Sequence, residues 1–315
     1  MKYYLGIDVG GTFVKGALVN ENGDILTNGK ISTDSEVGGE KIIYDIADFC
    51  KSLASSYGIE LSAVRGIGMG VPGIVDGDSG VIVYVPKLKW KNFKGAELLT
   101  KLTALPVKIS NDANAAALGE TKFGAGRQFN NTVMITLGTG VGGGIIINGK
   151  LFEGNKGAGA ELGHTVIVPG GERCSCQRRG CLEAYASATA LIRDTRRAMQ
   201  NNPESKLWSV GSLEKVDGKL AFDYYDTDKD AKTVVDNYIE KLALGITNFA
   251  NIFRPEAIII GGGVCAQGKN LTDPIQKIVD EELFAKDIAP RVPIIVAELG
   301  NNAGSLGAAA LVMDN

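Results

Sequence analysis

Apolar residues in this chain form short continuous runs that alternate with segments of helical periodicity. Short apolar runs bounded by Gly, Asn or Pro are typical of buried strands. The predicted strands cover residues 4–9, 17–19, 25–26, 66–71, 105–110, 132–137, 145–147, 151–152, 257–260 and 294–297. Apolar spacing predicts helices at 40–56 and 234–249, small residues predict a closing helix at 304–313, and Asp273-Pro274 should begin another helix. Alternating strands and helices predict an α/β fold.

The opening pattern occurs twice along the chain. The first strand leads into D-V-G-G-T-F-V-K, residues 8–15, and two more strands follow. The strand at 132–137 leads into G-T-G-V-G-G-G, and two strands follow again. Such self-similarity predicts two copies of one module facing each other. The expected domains are 1–115, joined by a C-terminal helix at about 303–315, and 116–302.

Composition and charge narrow the class of protein. A chain of 315 residues should hold about two domains, and 44% hydrophobic with 22% charged residues is typical of a soluble globular protein. The net charge of −3 gives no broad electrostatic surface for nucleic acid. No segment has the ~18 uninterrupted apolar residues of a membrane span, and the N-terminus does not read as a secretion signal. We therefore expect a cytoplasmic protein with no membrane or nucleic-acid partner.

One histidine and three cysteines form a candidate metal site. His164 is the only histidine in the chain, and it precedes the run C-S-C-Q-R-R-G-C, which carries Cys174, Cys176 and Cys181. Zinc prefers four tetrahedral S and N ligands in structural sites. A closed set of four ligands would leave no open position for chemistry, so zinc would shape the segment 164–181. The alternative is a group of unrelated free cysteines.

Two glycine-rich turns are candidate polyphosphate sites. Backbone N–H groups and a threonine hydroxyl in each turn could bind one polyphosphate from two sides. The candidate residues are Gly10, Gly11, Thr12 and Lys15 in the first turn and Gly138, Thr139 and Gly140 in the second. Asp8, at the end of the first strand, could orient Mg²⁺. Simple hairpin turns would explain the same glycines.

Two further motifs follow predicted strands. Gly261, Gly262 and Gly263 would let the backbone approach a flat ligand such as adenine, or would simply make a tight strand-to-helix turn. Asn111-Asp112 follows one strand and precedes a helix, so it lies at the carboxyl end of that strand, where α/β sheets place their sites. Asp112 is the catalytic candidate, and its alternative role is a helix N-cap.

Taken together, the motifs resemble the ROK family of sugar kinases and sugar-responsive repressors. The motifs are D-V-G-G-T-F-V-K, G-V-P-G, N-D-A-N-A-A-A-L-G-E, G-T-G-V-G-G-G, G-A-E-L-G-H, C-S-C-x4-C-L-E and I-I-I-G-G-G-V, in the family's order and across nearly the whole chain. The resemblance implies two actin-like, ribonuclease-H-like domains facing across a cleft. It also implies ATP with Mg²⁺ as the donor, structural Zn²⁺, and a homo-oligomer, either a dimer or a tetramer.

The resemblance assigns roles to individual residues. Asp112 would accept the proton of the sugar hydroxyl. The residues implied to hold the sugar are Gly73, Asn111, Asp112, Glu161, His164 and Glu183. His164 would serve twice, with one ring nitrogen on zinc and the other facing the sugar. The chain departs from the family at Gln177, where C-x-C-G-x-x-G-C has its first Gly, and this puts the local turn geometry in doubt.

The expected activity is phosphorylation of the 6-hydroxyl of glucose. Fructose, mannose, allose, N-acetylmannosamine and N-acetylglucosamine stay open as acceptors, and polyphosphate stays open as donor. A sugar-sensing repressor is the main alternative. Since repressors of this kind carry a winged helix-turn-helix before the first glycine turn, the position of Asp8 argues against that alternative. A catalytically silent sugar-binding scaffold would not need Asp8, Asp112 and both glycine turns.

Overall fold

The computed structural model describes residues 1–34 and 38–313, which form an α/β structure. The helices are α1 Gly39–Ser56, α2 Gly95–Thr103, α3 Asp112–Phe123, α4 Glu183–Ala186, α5 Ala188–Asn201, α6 Leu220–Asp223, α7 Lys229–Phe253, α8 Lys269–Glu282 and α9 Ala303–Ala310. The strands are β1 Tyr3–Val9, β2 Phe13–Asn20, β3 Ile25–Ser32, β4 Val64–Val71, β5 Ile74–Asp76, β6 Val81–Val85, β7 Trp90–Phe93, β8 Val107–Asn111, β9 Thr132–Leu137, β10 Val141–Ile147, β11 Lys150–Phe152, β12 Ala257–Gly261 and β13 Ile294–Val296.

Two five-stranded sheets share one topology. Their strand orders are β3-β2-β1-β4-β8 and β11-β10-β9-β12-β13. In the first sheet, β1, β2 and β3 are antiparallel neighbours, whereas β4 and β8 run parallel to β1. In the second sheet, β10 and β11 are antiparallel, whereas β12 runs parallel to both β9 and β13. The repeat predicted from the sequence is therefore present as a repeated sheet topology.

The chain divides into two compact units. Unit 1 comprises Met1–Asn130, Gly144–Ala160 and Glu298–Asn315, and unit 2 comprises Asn131–Gly143 and Glu161–Ala297. The predicted division at 115/116 falls inside α3, and the whole of that helix belongs to unit 1. Of the C-terminal helix predicted at 303–315, α9 covers Ala303–Ala310, and residues 314–315 lie outside the described part of the chain.

Small residues let α9 pack directly on the first sheet of unit 1. A side-chain carbon at Gly6 would lie 1.8 Å from the carbonyl oxygen of Ser305, and one at Gly68 would lie 1.6 Å from that of Ala308. Neither position can hold a larger residue without moving the helix. This packing keeps the N-terminal end of α9 beside the carboxyl end of β1, where Asp8 lies.

The start of α8 differs from the sequence prediction. Asp273 and Pro274 were expected as N-cap and first-turn residues, but the helix begins after Gly268 and contains Pro274 in its interior. Gly268 adopts φ 54°, and its carbonyl oxygen accepts from the N–H groups of Leu271 and Thr272. Leu271 and Ile275 are fully buried on one face, so their burial extends the helix toward its N-terminus despite the proline.

No helix in the described part of the chain combines the length and apolar character needed to cross a membrane.

Candidate functional site

Three strand ends of unit 1 meet at one edge of the first sheet. Asp8 on β1 is in register with Gly70 on β4, and Gly70 is in register with Ser110 on β8. Because the three strands are parallel, their carboxyl ends lie at the same edge, which is where α/β sheets place their ligands. Asn111 ends β8 and Asp112 begins α3, as the sequence predicted.

Asn111 is the N-cap of α3, so the capping role considered for Asp112 belongs to its neighbour. The Asn111 side-chain oxygen accepts from the N–H groups of Ala113 at 2.8 Å and Asn114 at 3.2 Å. Its amide nitrogen donates to the carbonyl oxygen of Gly73 at 2.9 Å. One side chain thus fixes both the start of the helix and the loop that carries Gly73.

Asp112 and Asp8 are both buried carboxyl groups. Burial raises the pKa of Asp112 above its ordinary value, although the N–H of Ala113 and the side chain of Asn111 favour the ionised form. Burial also raises the pKa of Asp8, the charge of Asp112 raises it further, and Lys15 lowers it. A carboxylate with a raised pKa is a better proton acceptor near neutral pH, provided that it stays ionised. Unit 1 therefore holds a candidate base beside a second carboxylate.

The first glycine turn leaves backbone donors exposed. The Gly10 N–H closes the turn on the carbonyl oxygen of Phe13 at 2.9 Å, and the Thr33 hydroxyl donates to the Gly10 carbonyl oxygen. Within residues 1–34 and 38–313, the N–H groups of Gly11 and Thr12 have no acceptor. Exposed N–H groups at a tight turn suit a phosphate oxygen. Lys15 on β2 lies directly opposite Asp8 on β1 in the strand register.

The second glycine turn lies in unit 2 and is shorter than its sequence motif. Residues 138–140 form the turn, whereas 141–144 of G-T-G-V-G-G-G belong to β10. The carbonyl oxygen of Gly138 accepts from Ala188, and that of Thr139 accepts from the hydroxyl of Thr189. The turn is therefore fixed against the N-terminal end of α5, where a helix dipole favours an anion.

The third glycine run forms a strand-to-helix turn. Gly262 has φ 86°, and a side-chain carbon there would lie 2.4 Å from the carbonyl oxygen of Leu137. Gly262 is therefore required by the turn itself. Gly263 faces open space, since apart from its chain neighbours no atom of the described residues lies within 4 Å of the position that its Cβ would take. Gly261 ends β12.

His164, Cys174, Cys176 and Cys181 come together in unit 2, and their ligand atoms all lie within 4.8 Å of one another. The Cys176 and Cys181 sulfurs are 3.7 Å apart, and the Cys174 sulfur is 3.5 Å from Nδ1 of His164. Zn–S bonds of about 2.3 Å and Zn–N bonds of about 2.0–2.1 Å at tetrahedral angles require very similar separations. The donor set and its spacing therefore fit a tetrahedral ion, and Nε2 of His164 is left for another partner.

Gln177, where the chain departs from the pattern C-x-C-G-x-x-G-C, lies in a tight turn. Its N–H donates to the carbonyl oxygen of Cys174 at 3.0 Å, and its φ is 73°. Positive φ is the region that favours glycine, which explains why glycine suits this position. Because Gln177 has a side chain, this φ introduces local backbone strain.

Glu161 and Glu183 flank the candidate metal centre in the sequence. Glu161 precedes the short helical turn Leu162–His164, and its carbonyl oxygen accepts from the N–H of His164. Glu183 begins α4, and one of its carboxylate oxygens accepts from the N–H of Val141 at 3.1 Å. A side-chain carbon at Gly140 would lie 2.3 Å from that oxygen. Unit 2 thus brings Glu183 to the second glycine turn.

Sequence reasoning missed two polar partners of these residues. The Ser110 hydroxyl donates to Glu153 at 2.5 Å, and burial raises the pKa of that carboxyl. The Ser175 hydroxyl donates to Glu183, also at 2.5 Å. Each pair joins different elements of one unit, and no periodicity or motif in the sequence signals such a contact.

The two sheets have the same strand order, and each combines antiparallel with parallel strands. The protein is therefore an α/β protein with a repeated sheet, and its acidic candidates and glycine turns lie at strand ends. Unit 1 holds Asp8, the first turn, Gly73, Asn111 and Asp112, and unit 2 holds the other candidate residues. A sequence model of the ROK family matches residues 4–315. The chain belongs to the ROK family.

Individual relatives are similar over almost the whole chain. A glucokinase of Halalkalibacterium halodurans is 39% identical over 99% of this chain and 95% of its own length. The crystal structure of a ROK family glucokinase from Streptomyces griseus, in complex with glucose and AMPPNP, has a TM-score of 0.81 at 35% identity, covering 98% of both chains. A xylose repressor of Caldicellulosiruptor bescii is 30% identical over 99% of this chain and 78% of its own length.

Proposed function

We propose that this protein is an ATP-dependent glucokinase that transfers a phosphoryl group to the 6-hydroxyl of glucose. The observation that carries the proposal is Asp112, a buried carboxylate at the start of α3 beside Asp8, in a chain 39% identical to a glucokinase. Phosphoryl transfer needs a carboxylate to accept the hydroxyl proton and groups that position the phosphates. Asp112 takes the first role.

The remaining assignments follow the same proposal. Asp8 and the two glycine turns are assigned to Mg²⁺ and the phosphates, and the turn Gly261–Gly263, which is open at Gly263, is assigned to adenine. The residues proposed to bind sugar hydroxyls are Gly73, Asn111, Asp112, Glu161, His164 and Glu183. Support comes from the N–H groups of Gly11 and Thr12, which have no acceptor among residues 1–34 and 38–313, and from the contact of Glu183 with the second turn.

We further propose that Zn²⁺ occupies the four-residue centre in a structural role. All four ligands come from the chain, so the ion would have no open position for substrate. Burial, with hydrogen bonds to Cys176 and Cys174, raises the pKa of the Cys181 thiol to about 12. Zn²⁺ would displace the protons of the cysteine thiols on binding. Its affinity should therefore fall as the pH falls.

A hexose panel tests the proposal. The sugars to be compared are glucose, 2-deoxyglucose, fructose, mannose, allose, N-acetylmannosamine and N-acetylglucosamine. Sugar phosphate formation would be measured with either ATP or polyphosphate as the donor, together with ADP release in the case of ATP. We expect glucose with ATP to give the highest kcat/KM, and 2-deoxyglucose and N-acetylglucosamine to be much poorer. A site built to bond a hydroxyl discriminates by up to ~10⁴ or more against analogues that lack it. A better rate with another hexose would overturn glucose as the substrate but not the kinase.

Sugar sensing without catalysis is the second candidate, because a xylose repressor is 30% identical. Calorimetry distinguishes it from the kinase. A sensor would bind a sugar but release no ADP with any hexose, whereas a kinase would do both.

A further inference from the structure

The carboxylate of Glu183 is held at both of its oxygens by different parts of unit 2. Oε1 accepts from the hydroxyl of Ser175 at 2.5 Å, and Oε2 accepts from the backbone N–H of Val141 at 3.1 Å. Gly140 lies against the same carboxylate, with no room for a side chain. The side chain of Glu183 is therefore fixed before any ligand arrives.

Ser175 is itself held in place by its position in the chain. It lies between Cys174 and Cys176, two of the four candidate metal ligands, so the turn that gathers the sulfurs also places its hydroxyl. Its carbonyl oxygen accepts from the side-chain amide of Gln177 at 3.1 Å. The same turn therefore holds both the candidate ligand sulfurs and the hydroxyl that donates to Glu183.

We infer that Ser175 is a positioning residue that orients the Glu183 carboxylate for the sugar without touching the sugar itself. The inference rests on the proposed role of Glu183 in sugar binding. A glutamate that is free to rotate loses side-chain entropy when it binds a ligand, whereas one that is already oriented loses less. The Ser175 hydroxyl is the shorter of two contacts at Oε1, since the Cys174 sulfur lies 3.4 Å from the same oxygen.

The main test is Ser175→Ala, assayed as KM and kcat for glucose. We expect KM to rise about threefold to tenfold, with kcat changed less than twofold, because ordering one such side chain has a cost of that size. Ser175→Thr keeps the hydroxyl and should restore a KM close to that of the unchanged protein. An unchanged KM in Ser175→Ala would overturn the inference.

A matched control separates positioning from a general effect on the loop. Arg173 donates to the side chain of Gln177 in the same loop and makes no contact with Glu183 among its described hydrogen bonds. Arg173→Gln should leave KM for glucose unchanged. Metal content and Tm should stay at their original values in Ser175→Ala. If zinc content or Tm falls in parallel with sugar affinity, Ser175 acts only by holding the loop, and the inference fails.

A double-mutant cycle decides whether the effect passes through Glu183. Glu183→Gln alone should raise KM for glucose, and adding Ser175→Ala should then change KM less than it does in the unchanged protein. Fully additive effects would overturn the inference while leaving the role of Glu183 intact. If Glu183→Gln leaves KM unchanged, Glu183 is not a sugar ligand, and both the assignment and the inference fail.

Discussion

At Asp112, burial favours proton transfer but opposes folding. A buried carboxylate with a raised pKa is a stronger base, and the proposed reaction depends on that base. We expect Asp112→Asn to lower kcat by about 10²–10⁴, because the amide keeps the shape of the side chain but cannot accept the proton. Steady-state ADP release measures this. Activity within a few-fold of the original would show that Asp112 is not the base.

The stability of the same variant should move in the opposite direction. Because the pKa of Asp112 is raised in the folded protein, the folded state holds the proton more tightly than the unfolded state. Ionisation therefore opposes folding as the pH rises above the ordinary value for Asp and through the raised one. Asp112→Asn should have a Tm equal to or above that of the unchanged protein at pH 7, and the difference should shrink on acidification. A Tm lowered by several degrees at pH 7 would contradict this.

Gln177 allows a separate test at the residue scale. Its φ of 73° is strained for any residue with a side chain, at roughly 1–3 kcal/mol. Gln177→Gly removes that strain but adds freedom to the unfolded chain, so we expect a net gain of about 0.5–1 kcal/mol. Denaturant unfolding gives the difference. Gly170, which already has φ 74°, provides the opposite control, because Gly170→Ala should destabilise.

Among the elements, α3 is anchored at both ends by side chains. Asn111 caps its start, and Glu120 near its end accepts three backbone N–H groups, from Ala125, Glu298 and Leu299. Glu120 is completely buried. Its carboxylate therefore links α3 to the segment that leads into α9.

Replacing Glu120 should destabilise the protein. Glu120→Gln leaves at least one of these part-buried N–H groups without its acceptor on a buried side chain, which costs about 1–3 kcal/mol. Glu97→Gln, which breaks an exposed ion pair with Lys94, is the matched control and should cost at most about 1 kcal/mol. Urea unfolding of both variants compares them. Equal effects would mean that the three N–H groups find water instead.

The elements also show what the sequence could reveal. The strand 132–137 and the helix at 40–56 were predicted closely, because their apolar periodicity is unambiguous. The small sheet β5-β6-β7 was missed, since β5 and β7 are only three and four residues long and mix polar with apolar residues, and the apolar run of β6 was overlooked between them. The predicted start of α8 was wrong, because the burial of apolar side chains before Pro274 outweighed the preference of proline for the first turn of a helix.

The same distinction applies to the candidate site. The four metal-site residues lie close in sequence, so their spacing alone predicted the cluster. Asn111-Asp112 was predicted to follow a strand and begin a helix, although the cap proved to be Asn111. The bonds of Ser110 to Glu153 and of Asn111 to Gly73 join residues far apart in sequence, so only the folded chain reveals them.

For the whole molecule, the four residues of the candidate metal centre all belong to unit 2, so removal of the proposed zinc should act there first. We expect a zinc chelator to speed amide hydrogen exchange in residues 162–186 while the sheet β3-β2-β1-β4-β8 of unit 1 keeps its protection. Elemental analysis before and after treatment gives the metal content. Purified protein without stoichiometric metal, or exchange that rises equally in both units, would contradict this expectation.

The packing of α9 against β1 and β4 has a consequence for how the protein is made in the cell. A ribosome delivers β1 first, but the helix that covers it, within the segment from Glu298 onward, only after all of unit 2 has been made. Until then the glycine-lined face around Gly6 and Gly68 stays open to solvent and to other nascent chains. The sequence of unit 2 lies between β1 and this helix, so the sheet of unit 1, which is begun first, receives its covering helix only after unit 2 has been synthesised.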